Sequence, residues 1–455
     1  MSQIRKPANR FKAKKTRLVK SFLIKHKFIP QGRIILPGDK SIAHRALILS
    51  ALSCGRTILK NFPIHEDSLA TLNALSVLGV KIRRNKGIVL VSGKGRQGLK
   101  SPGKPVFVNN SGTTLRLLLG VLAGVSFKTK IVAGKYLSLR PMSRVNIPLR
   151  LMGAQIVAQN RGREEYAPIT INGGNLKGIV YRPKVASAQV KSAILLAGLF
   201  AKGRTKVIEQ LNTRDHTERM LKVFGVNIIV NNRSITLYPT QGLNSPGQVY
   251  IPGDISSAAF FIVLAAIIPK SRVVIEKVSL NPGRSGIINV LKRMHAVIKV
   301  STSQANKPVG LEPWGNLLIS SSKLKGAVVY PGEIPSLVDE LPILMVAACF
   351  AEGVTKIKGV NELRVKETDR VNSMVVNLKK MGADIRVEKD GLMESIIIHG
   401  QGGLCGAKLE SFGDHRTAMS MIVAALAAAG KSEIDDIGCI NKSFPGFLKA
   451  LKSLE

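Results

Sequence analysis

Six apolar segments of helical character, each preceded by a short polar turn, recur along the 455 residues of this chain. They begin at Pro37 (PGDKSIAHRALILSAL), Asn110 (NSGTTLRLLLGVLAG), Ser187 (SAQVKSAILLAGLFA), Pro252 (PGDISSAAFFIVLAAI), Pro335 (PSLVDELPILMVAACFA) and Gly413 (GDHRTAMSMIVAALAA). Successive starts lie 65 to 83 residues apart. A period of this kind predicts six copies of one supersecondary unit.

The segments between these helices repeat as well. An alternating apolar run follows each helix, as in GRTILKNF from Gly55 and GRTKVIEQL from Gly203, and this alternation is typical of strands. A second amphipathic helix then ends near a glycine, as in LNALSVLGVKI from Leu72. We therefore predict an α/β fold in which each unit has the order βαβαββ and three units form one globule.

A break after the third unit divides the chain into two predicted globules. LNSPGQVYIPGD, with its Pro and Gly residues, marks a crossing between them, and FIPQGRIILP before Pro37 has the character of a strand. We assign residues 37–247 to the first globule and residues 29–36 plus 248–455 to the second. Two strands then cross at a hinge near residues 36 and 248, and helix N-termini from both halves face one cleft.

Composition limits the class of protein. The chain has 68 Lys and Arg against 28 Asp and Glu, a formal net charge of +40, and ten of the basic residues lie in the first 27 positions. Such a balance is typical of nucleic-acid binders, but the remaining basic residues are scattered and aromatic residues make up only 5%. We predict no specific nucleic-acid partner, and a disordered basic extension over residues 1–28.

Two further classes are disfavoured by the sequence. The longest apolar stretches are shorter than the roughly 18 residues that a membrane span needs, so we predict no membrane partner. The four cysteines lie far apart without metal-ligand spacing, which predicts no metal site and is typical of a reducing cytoplasm.

The polar turns themselves indicate a ligand class. A helix N-terminus exposes unpaired N–H groups and about half a positive charge, so it is a natural seat for an anion. Five basic residues lie in or near the turns: Lys40, Arg45, Arg116, Lys191 and Arg416. We expect a protein that binds small, highly charged anions.

The strings GDKSIAHR, NNSGTTLR, LRVKETDR and GDHR carry a resemblance. From about Arg33 to Leu454 the chain resembles the 5-enolpyruvylshikimate-3-phosphate synthase family. The resemblance implies a two-globule inside-out α/β barrel of the enolpyruvyl transferase type. It implies transfer of the enolpyruvyl group of phosphoenolpyruvate to the 5-hydroxyl of shikimate 3-phosphate through a tetrahedral intermediate, with domain closure. No metal or cofactor is implied, and the enzyme is expected to be a cytoplasmic monomer.

The resemblance also implies roles for individual residues. Shikimate 3-phosphate is assigned to Lys40, Ser41, Arg45, Ser187, Gln189, Arg214, Asp339 and Lys366. Phosphoenolpyruvate is assigned to Lys40, Asn110, Gly112, Arg140, Gln189, Arg370, Arg416 and Lys442. Asp339 is expected to take the hydroxyl proton, while Lys40 and Glu367 handle the proton on carbon.

Several positions keep an alternative. Many family members have a serine where this chain has Ala188; Arg214 either replaces that hydroxyl or pairs with Asp215 or Glu218. His415 is either a proton relay or structural. The string LRVKETDR would on its own predict an exposed, salt-bridged helix on which Lys366 and Arg370 share a face.

Two family-level comparisons complete the prediction. The string TRDHTE resembles the glyphosate-tolerant branch, but some tolerant members have Ala at the position of Gly112, so we expect sensitivity here. The sister enzyme that acts on a UDP-amino sugar usually has a reactive cysteine in a loop of the first globule. The only cysteine there is Cys54, predicted on an apolar helix, which favours the shikimate enzyme. The start at Pro252 carries no assigned ligand and is expected to serve the hinge.

Overall fold

The computed structural model describes residues 21–24, 28–302 and 312–455. Its strands are β1 Phe22–Ile24, β2 Gln31–Ile35, β3 Cys54–Lys60, β4 Lys81–Asn85, β5 Ile88–Lys94, β6 Val106–Phe107, β7 Lys128–Val132, β8 Gln155–Arg161, β9 Glu164–Asn172, β10 Val180–Tyr181, β11 Thr205–Ile208, β12 Ile228–Asn231, β13 Ser234–Leu237, β14 Gln248–Tyr250, β15 Arg272–Ser279, β16 Val297–Thr302, β17 Trp314–Ser320, β18 Val328–Val329, β19 Glu352–Lys358, β20 Asp384–Asp390, β21 Met393–Gln401, β22 Lys408–Leu409 and β23 Ser432–Ile434.

The helices alternate with these strands. They are α1 Lys40–Leu52, α2 Glu66–Val77, α3 Gly112–Leu122, α4 Ser143–Leu151, α5 Ala188–Gly198, α6 His216–Val223, α7 Ile255–Ile267, α8 Gly286–Arg293, α9 Ile334–Leu337, α10 Leu341–Cys349, α11 Arg370–Lys380, α12 His415–Ala427 and α13 Phe447–Lys452. The helix predicted from Pro335 is two helices in the structure, because the chain turns between α9 and α10. In the described part of the chain, no helix combines the length and apolar character needed to span a bilayer.

Each repeated unit contributes one small sheet. In the second unit, β6, α3, β7, α4, β8 and β9 follow one another, and the strands lie in the order β6-β7-β9-β8. The first pair is parallel and the other two pairs are antiparallel. Five four-stranded sheets and one three-stranded sheet share this plan, which confirms the predicted α/β fold of repeated βαβαββ units.

Three sheets are completed by strands from distant parts of the chain. Strand β14 pairs with β3, β2 pairs with β15, and β1 pairs with β23. The disorder expected for residues 1–28 is therefore wrong for Phe22–Ile24, whose backbone groups pair with Ser432–Ile434. Residues 1–20 and 25–27 lie outside the described residues.

The two chain crossings lie side by side. Gly38 and Gly253 form an antiparallel bridge, flanked by hydrogen bonds from Asp39 N to Pro252 O (2.7 Å) and from Asp254 N to Pro37 O (3.0 Å). A Cβ at Gly38 would lie 2.2 Å from the carbonyl oxygen of Asn61, so only glycine fits there. Strand β14 belongs to a sheet of the first globule, and the chain leaves that sheet after Tyr250.

The buried side chains form two separate apolar cores, one in each globule, and the helices supply much of both. One core spans Ile42 to Ile251, and the other joins Ile24, Ile34 and Leu36 to side chains between Ile255 and Leu454. Every residue of α7 from Ile255 to Ala266 is buried, as expected for a helix that is apolar on all sides. Helices α7, α10 and α12 contact one another, and the sheets surround them.

Candidate active site

The helix starts are held by side-chain caps that the polar turns supply. Each cap oxygen accepts a hydrogen bond from a backbone N–H in the first turn, and these oxygens belong to Asp39 (α1), Ser111 (α3), Ser187 (α5), Asp254 (α7), Asp369 (α11) and Asp414 (α12). A cap fixes where the first helical residues point. Lys40, Gly112, Gln189, Arg370 and Arg416 follow these caps directly or within two residues.

One cleft of about 380 Å³ collects the predicted residues from both globules. Its lining includes all fifteen: Lys40, Ser41, Arg45, Asn110, Gly112, Arg140, Ser187, Gln189, Arg214, Asp339, Lys366, Glu367, Arg370, Arg416 and Lys442. His415 lines it too. The individual roles expected for these residues stay predictions, but their side chains share one space.

In the first globule, Lys40 and Arg45 come from successive turns of α1. The Lys40 ammonium lies 3.0 Å from the Asp67 carboxylate. Burial would lower the pKa of Lys40, but the Asp67 charge outweighs it and the net pKa is raised. Arg45 donates to Thr217 Oγ1 (2.6 Å), Ser192 Oγ (2.8 Å) and the backbone oxygen of Ser41 (2.8 Å). Burial lowers the pKa of Arg45 to about 10, so it is still a cation at neutral pH.

The neighbouring wall is built on α3 and α5. Arg116 donates to Gln189 Oε1 (2.8 Å), and Gln189 Nε2 donates to Thr113 Oγ1 (3.0 Å). Burial, followed by the charges of Arg140 and Arg144, lowers the pKa of Arg116 to about 10. Three cations therefore lie close together on this wall, an arrangement that favours a bound anion.

Asn110 has a local task in the same wall. Its Oδ1 accepts hydrogen bonds from the backbone N–H groups of Tyr136 (3.1 Å) and Leu137 (3.2 Å). The loop held in this way leads directly to Arg140, which lies on the cleft. Asn110 thus positions the loop of an arginine as well as lining the cavity.

On the second globule, Asp339 lies in the turn before α10 and is surrounded by arginines. Its carboxylate is 2.7 Å from Arg214, 3.5 Å from Arg284, 3.6 Å from Arg370 and 3.9 Å from Arg416. Burial alone would raise the pKa of Asp339, but the charges of Arg416, Arg214, Lys366 and Arg284 hold it well below its ordinary value.

Glu367 is the second carboxylate of the cleft. It accepts from Arg370 (2.6 Å) and lies 3.4 Å from both Arg140 and Lys442. Burial would raise the pKa of Glu367, yet Arg370 and Arg140 hold it well below the usual range. Because Arg140 belongs to the first globule, this carboxylate connects the two sides of the cleft.

The exposed helix that LRVKETDR alone would predict does not form. Residues Val360–Val365 form a 3₁₀ helix, the chain then bends, and α11 begins only at Arg370. Lys366 donates to Glu362 (2.8 Å), whereas Arg370 is fully buried and donates to Asp414 (2.9 Å). The two cations therefore reach the cleft from a bend and a helix start, not from one helical face.

The surroundings of Arg214 and His415 bear on the alternatives left open for these two residues. Arg214 pairs with neither Asp215 nor Glu218: Asp215 binds Arg219 (2.7 Å) and Glu218 binds Lys191 (2.6 Å). Lys191 is buried by these contacts and lies outside the cleft lining. His415 is buried, and burial lowers its pKa to about 3, so the ring is neutral at pH 7.

Arg284 is the main residue that the sequence prediction missed. It is 3% exposed and lies within 4.0 Å of four carboxylates, namely Asp39, Asp254, Asp339 and Glu340. The repeated units do contain a sequence signal for this arginine. Arg140, Arg214, Arg284 and Arg370 each lie within three residues of the start of the second helix in four consecutive units. Asp254 also reaches the cleft. The fourth unit therefore contributes side chains to the cleft in addition to following the crossing between the globules.

The cleft chemistry is that of a strongly cationic site with two central carboxylates. Among the residues that the structure describes, no group of three His, Cys, Asp or Glu side chains is arranged to hold a metal ion. Arginine and lysine side chains bind phosphate and carboxylate groups with charge-assisted hydrogen bonds. Carboxylates also line the cleft, among them Asp339 and Glu367, and groups of this kind can act as general acids or bases.

Comparison with known proteins identifies the family. The family profile described as EPSP synthase (3-phosphoshikimate 1-carboxyvinyltransferase) matches residues 29–451. A protein from Shouchella clausii named 3-phosphoshikimate 1-carboxyvinyltransferase is 46% identical over 93% of this chain and 96% of its own length. A namesake from Bacillus pumilus is 44% identical over 94% of this chain and 98% of its own length.

A solved structure supports the same relationship. The EPSP synthase of Acinetobacter baumannii superimposes with a TM-score of 0.85 at 42% identity, covering 95% of this chain and 97% of that one. Both halves of the chain are included in these matches. The chain therefore belongs to the EPSP synthase family.

Proposed function

We propose that the cleft transfers the enolpyruvyl group of phosphoenolpyruvate to the 5-hydroxyl of shikimate 3-phosphate and releases inorganic phosphate. The observation that carries this proposal is the convergence of fifteen residues, from both globules, on one cavity in a member of this family. Both substrates carry a phosphate and a carboxylate, and the cavity offers arginine and lysine on every side.

We assign the phosphorylated shikimate to the side of the cleft formed by α1, α5 and the turn before α6. Lys40, Ser187, Gln189 and Arg214 have polar groups at the cavity. The three nitrogens of Arg45 already donate to protein groups. This arginine therefore contributes positive charge and holds the hydrogen-bonded residues around it in place. Ala188 offers no hydroxyl, and Arg214 supplies the phosphate contact in its place.

Phosphoenolpyruvate is assigned to the opposite side, between Arg140, Arg370, Arg416 and Lys442. Gly112 leaves room for it beside Arg116, because a Cβ there would lie 2.8 Å from the Arg116 Nη1 atom. These cations neutralise the phosphate and carboxylate and hold the reacting carbon in line with the hydroxyl.

Asp339 becomes a base only when substrate is bound. In the substrate-free protein its arginine neighbours keep the pKa of Asp339 well below the ordinary value. A bound phosphate competes for Arg214, which is its nearest cation at 2.7 Å. Loss of that contact raises the pKa of the carboxylate toward the range of an effective general base.

The reaction then proceeds by addition and elimination. The shikimate oxygen bonds to C2 of phosphoenolpyruvate as Asp339 takes the hydroxyl proton, and a proton is added to C3 by the Lys40 and Glu367 pair. In the tetrahedral adduct the C2–O bond to the phosphoryl group breaks, and the leaving phosphate takes up the proton that Asp339 removed from the hydroxyl. C3 returns its proton to the Lys40 and Glu367 pair, and the C2–C3 double bond re-forms. Both proton-transfer groups are thereby restored, and atoms and charges balance.

The direct test is phosphate release with both substrates present and with each omitted in turn. Phosphate should appear only with the complete pair. Release without shikimate 3-phosphate, or release that needs a UDP-amino sugar as acceptor, would refute the proposal.

Replacing Asp339 by Asn isolates the base. We expect turnover to fall roughly 100-fold to 10,000-fold, the usual contribution of a general base, with shikimate 3-phosphate binding still measurable by calorimetry. The matched control is Asp384→Asn, which changes an exposed carboxylate on β20. Near-normal turnover in Asp339→Asn would remove Asp339 from the catalytic role.

We also propose that the protein acts on these small molecules as a cytoplasmic monomer. The support is that one chain supplies every side chain assigned to the cleft, and that both substrates are highly charged metabolites that do not cross membranes unaided. Light scattering on the purified protein at working concentration tests the monomer; a stable dimer would contradict it.

A further inference from the structure

The positive charge of this chain is concentrated on the surface of its first globule. Between residues 37 and 251 twenty-two Lys and Arg side chains are exposed, whereas Glu66 is the single exposed acid. The other seven acids of this range are buried or half-buried, as with Asp67 and Glu218. In the described residues of 252–455, seven exposed acids accompany sixteen exposed Lys and Arg.

The sheet of β14, β3, β5 and β4 shows this charge in a regular array. Its inward side chains, such as Thr57, Leu59 and Val91, are buried. Its outer face carries five cations: Arg56, Lys60, Lys81, Arg83 and Lys94. The four strands contain no Asp or Glu. We call this surface the basic sheet face.

The register places these cations in rows. Arg56 and Lys81 both lie opposite Ser92, on either side of the central strand β5, and Arg83 lies opposite Leu90. Neighbouring strands are about 4.8 Å apart, and alternate residues along a strand about 6.7 Å apart. No carboxylate of the described residues forms an ion pair with any of the five. Their charges are therefore available to an external partner.

One sheet of the second globule has cations that are paired with acids of the same sheet. On the sheet of β18 to β21, Lys356 pairs with Glu388 (3.2 Å), Arg386 pairs with the same glutamate (3.2 Å), and Lys389 pairs with Glu394 (3.4 Å). The two globules are built from one repeated unit, so the fold does not require an unpaired basic face.

We propose that the basic sheet face binds the phosphodiester backbone of a nucleic-acid duplex, without regard to sequence. A phosphodiester strand offers a regular line of single negative charges, and release of its counterions favours binding to an array of unpaired cations. The only aromatic residue of the four strands is Tyr250, whose ring is covered by Lys277 at 5.7 Å. The face therefore lacks the stacking surface with which proteins bind single strands.

A membrane surface fits the same face less well. Surface binding to lipid combines basic residues with inserted Trp, Phe or Leu side chains, usually on an amphipathic helix. Here the basic residues stand on strands, and the apolar side chains between them are the part-exposed Ile58 (37%) and Ile88 (47%). Anionic vesicles are therefore the contrasting arm of the test.

The test measures binding of the full chain to a labelled DNA duplex of about 20 base pairs by fluorescence anisotropy, between about 50 and 200 mM salt. The variant combines Arg56→Glu, Lys81→Glu and Arg83→Glu. The matched control combines Lys323→Glu, Lys325→Glu and Lys431→Glu, three exposed lysines of the second globule. Both changes alter net charge equally, and both variants keep the basic N-terminal extension.

We expect the variant to lose at least about tenfold in affinity, while the control stays within about threefold of the parent chain. The slope of log affinity against log salt concentration should be shallower in the variant, by about three phosphate contacts. None of the three altered residues lines the cleft, so phosphate release should be unchanged and reports correct folding. Equal losses in the two variants would refute the proposal, as would failure of the parent to bind duplex at about 50 mM salt. Binding to phosphatidylserine vesicles but not to DNA would also refute it.

Discussion

The two globules share one architecture and differ in charge. Residues 37–251 contain 32 Lys and Arg against 8 acids, whereas residues 29–36 and 252–455 contain 26 against 20. The helical cores are equally apolar in both halves. Because only the inward face of each sheet packs on the helices, outward residues are nearly free to vary. The difference shows that the repeat fixes the fold and leaves surface charge open to other demands.

The same difference continues into the cleft. The first globule contributes cations and small polar groups, such as Lys40, Ser187 and Gln189. The second contributes the two central carboxylates, Asp339 and Glu367, together with the arginines that hold them. The residues that we assign to each substrate come from both halves, so we expect turnover to require the two together.

Among the changes predicted here, Glu367→Gln should reduce turnover most strongly. The change removes a carboxylate that pairs with Arg140 across the cleft and that we assign to proton transfer at carbon. Turnover should fall roughly 100-fold to 10,000-fold, as measured by steady-state phosphate release. A matched control is Glu410→Gln, an exposed glutamate of the second globule that pairs with Lys380. A fall of less than threefold in Glu367→Gln would contradict its assignment.

Arg284→Gln tests the cation that joins the helix cap Asp39 of the first globule to the acids of the second. Four carboxylates would lose their shared partner, and removing one member of a buried charge network typically costs about 3–5 kcal/mol. We expect the free energy of unfolding, measured in urea, to fall by that amount.

Arg284→Lys keeps the charge but loses the planar, multidentate geometry, so it should recover part of the stability and less of the turnover. Recovery of full turnover by lysine would show that Arg284 contributes charge alone. Unchanged stability in Arg284→Gln would contradict the network.

Gly112→Ala tests whether the two substrates contact different parts of the first globule. The added Cβ would lie 2.8 Å from Arg116 Nη1, so that cation must shift, and 3.5 Å from Arg140 Nη1, which is ordinary van der Waals contact. We expect the KM for phosphoenolpyruvate to rise about tenfold, which corresponds to roughly 1.4 kcal/mol, while the KM for shikimate 3-phosphate changes little. Glyphosate should inhibit the parent chain more strongly than this variant. Gly242→Ala is the control, since nothing lies within 4 Å of its Cβ.

The smallest expected effect is a pH dependence carried by His44. Burial lowers its pKa to about 3, so the unfolded chain binds a proton below about pH 6.5 that the folded chain does not. Stability therefore falls as the pH decreases from about 6.5 toward 3, and this histidine contributes up to about 1.4 kcal/mol per pH unit. His44→Gln should show a shallower decline of unfolding free energy, whereas His399→Gln, a half-buried residue of the second globule, should not.

Much of the fold and of the cleft could be predicted from sequence because the repeat is strong. Five of the six polar turns fix a helix start by a side-chain cap, and the second helices end at glycines such as Gly79 and Gly382, which have positive φ. The helix starts indicate Lys40 and Arg416, whereas Gly112 and Gln189 are indicated by the family resemblance.

The remainder depends on contacts that a linear pattern does not encode. Spacing suggested a helix from Lys366 to Arg370, but Arg370 is buried against Asp414 and Glu367 and begins the helix instead. The pairing of Phe22–Ile24 with Ser432–Ile434 spans nearly the whole chain, and such distant pairing leaves no local signal. Arg284 was overlooked because its four carboxylate partners come from separate segments.

The long-range strand pairs have a consequence for synthesis on the ribosome. All the strands and helices of the first globule have been made once Tyr250 has emerged, but β2 must wait for β15, beginning at Arg272. At about 5–20 residues per second, Gln31–Ile35 remain without their partner for roughly 12 to 48 seconds, and β1 waits longer still for Ser432. An obstruction or cleavage near the N-terminus should therefore damage the globule that is made last and leave the one beside it intact.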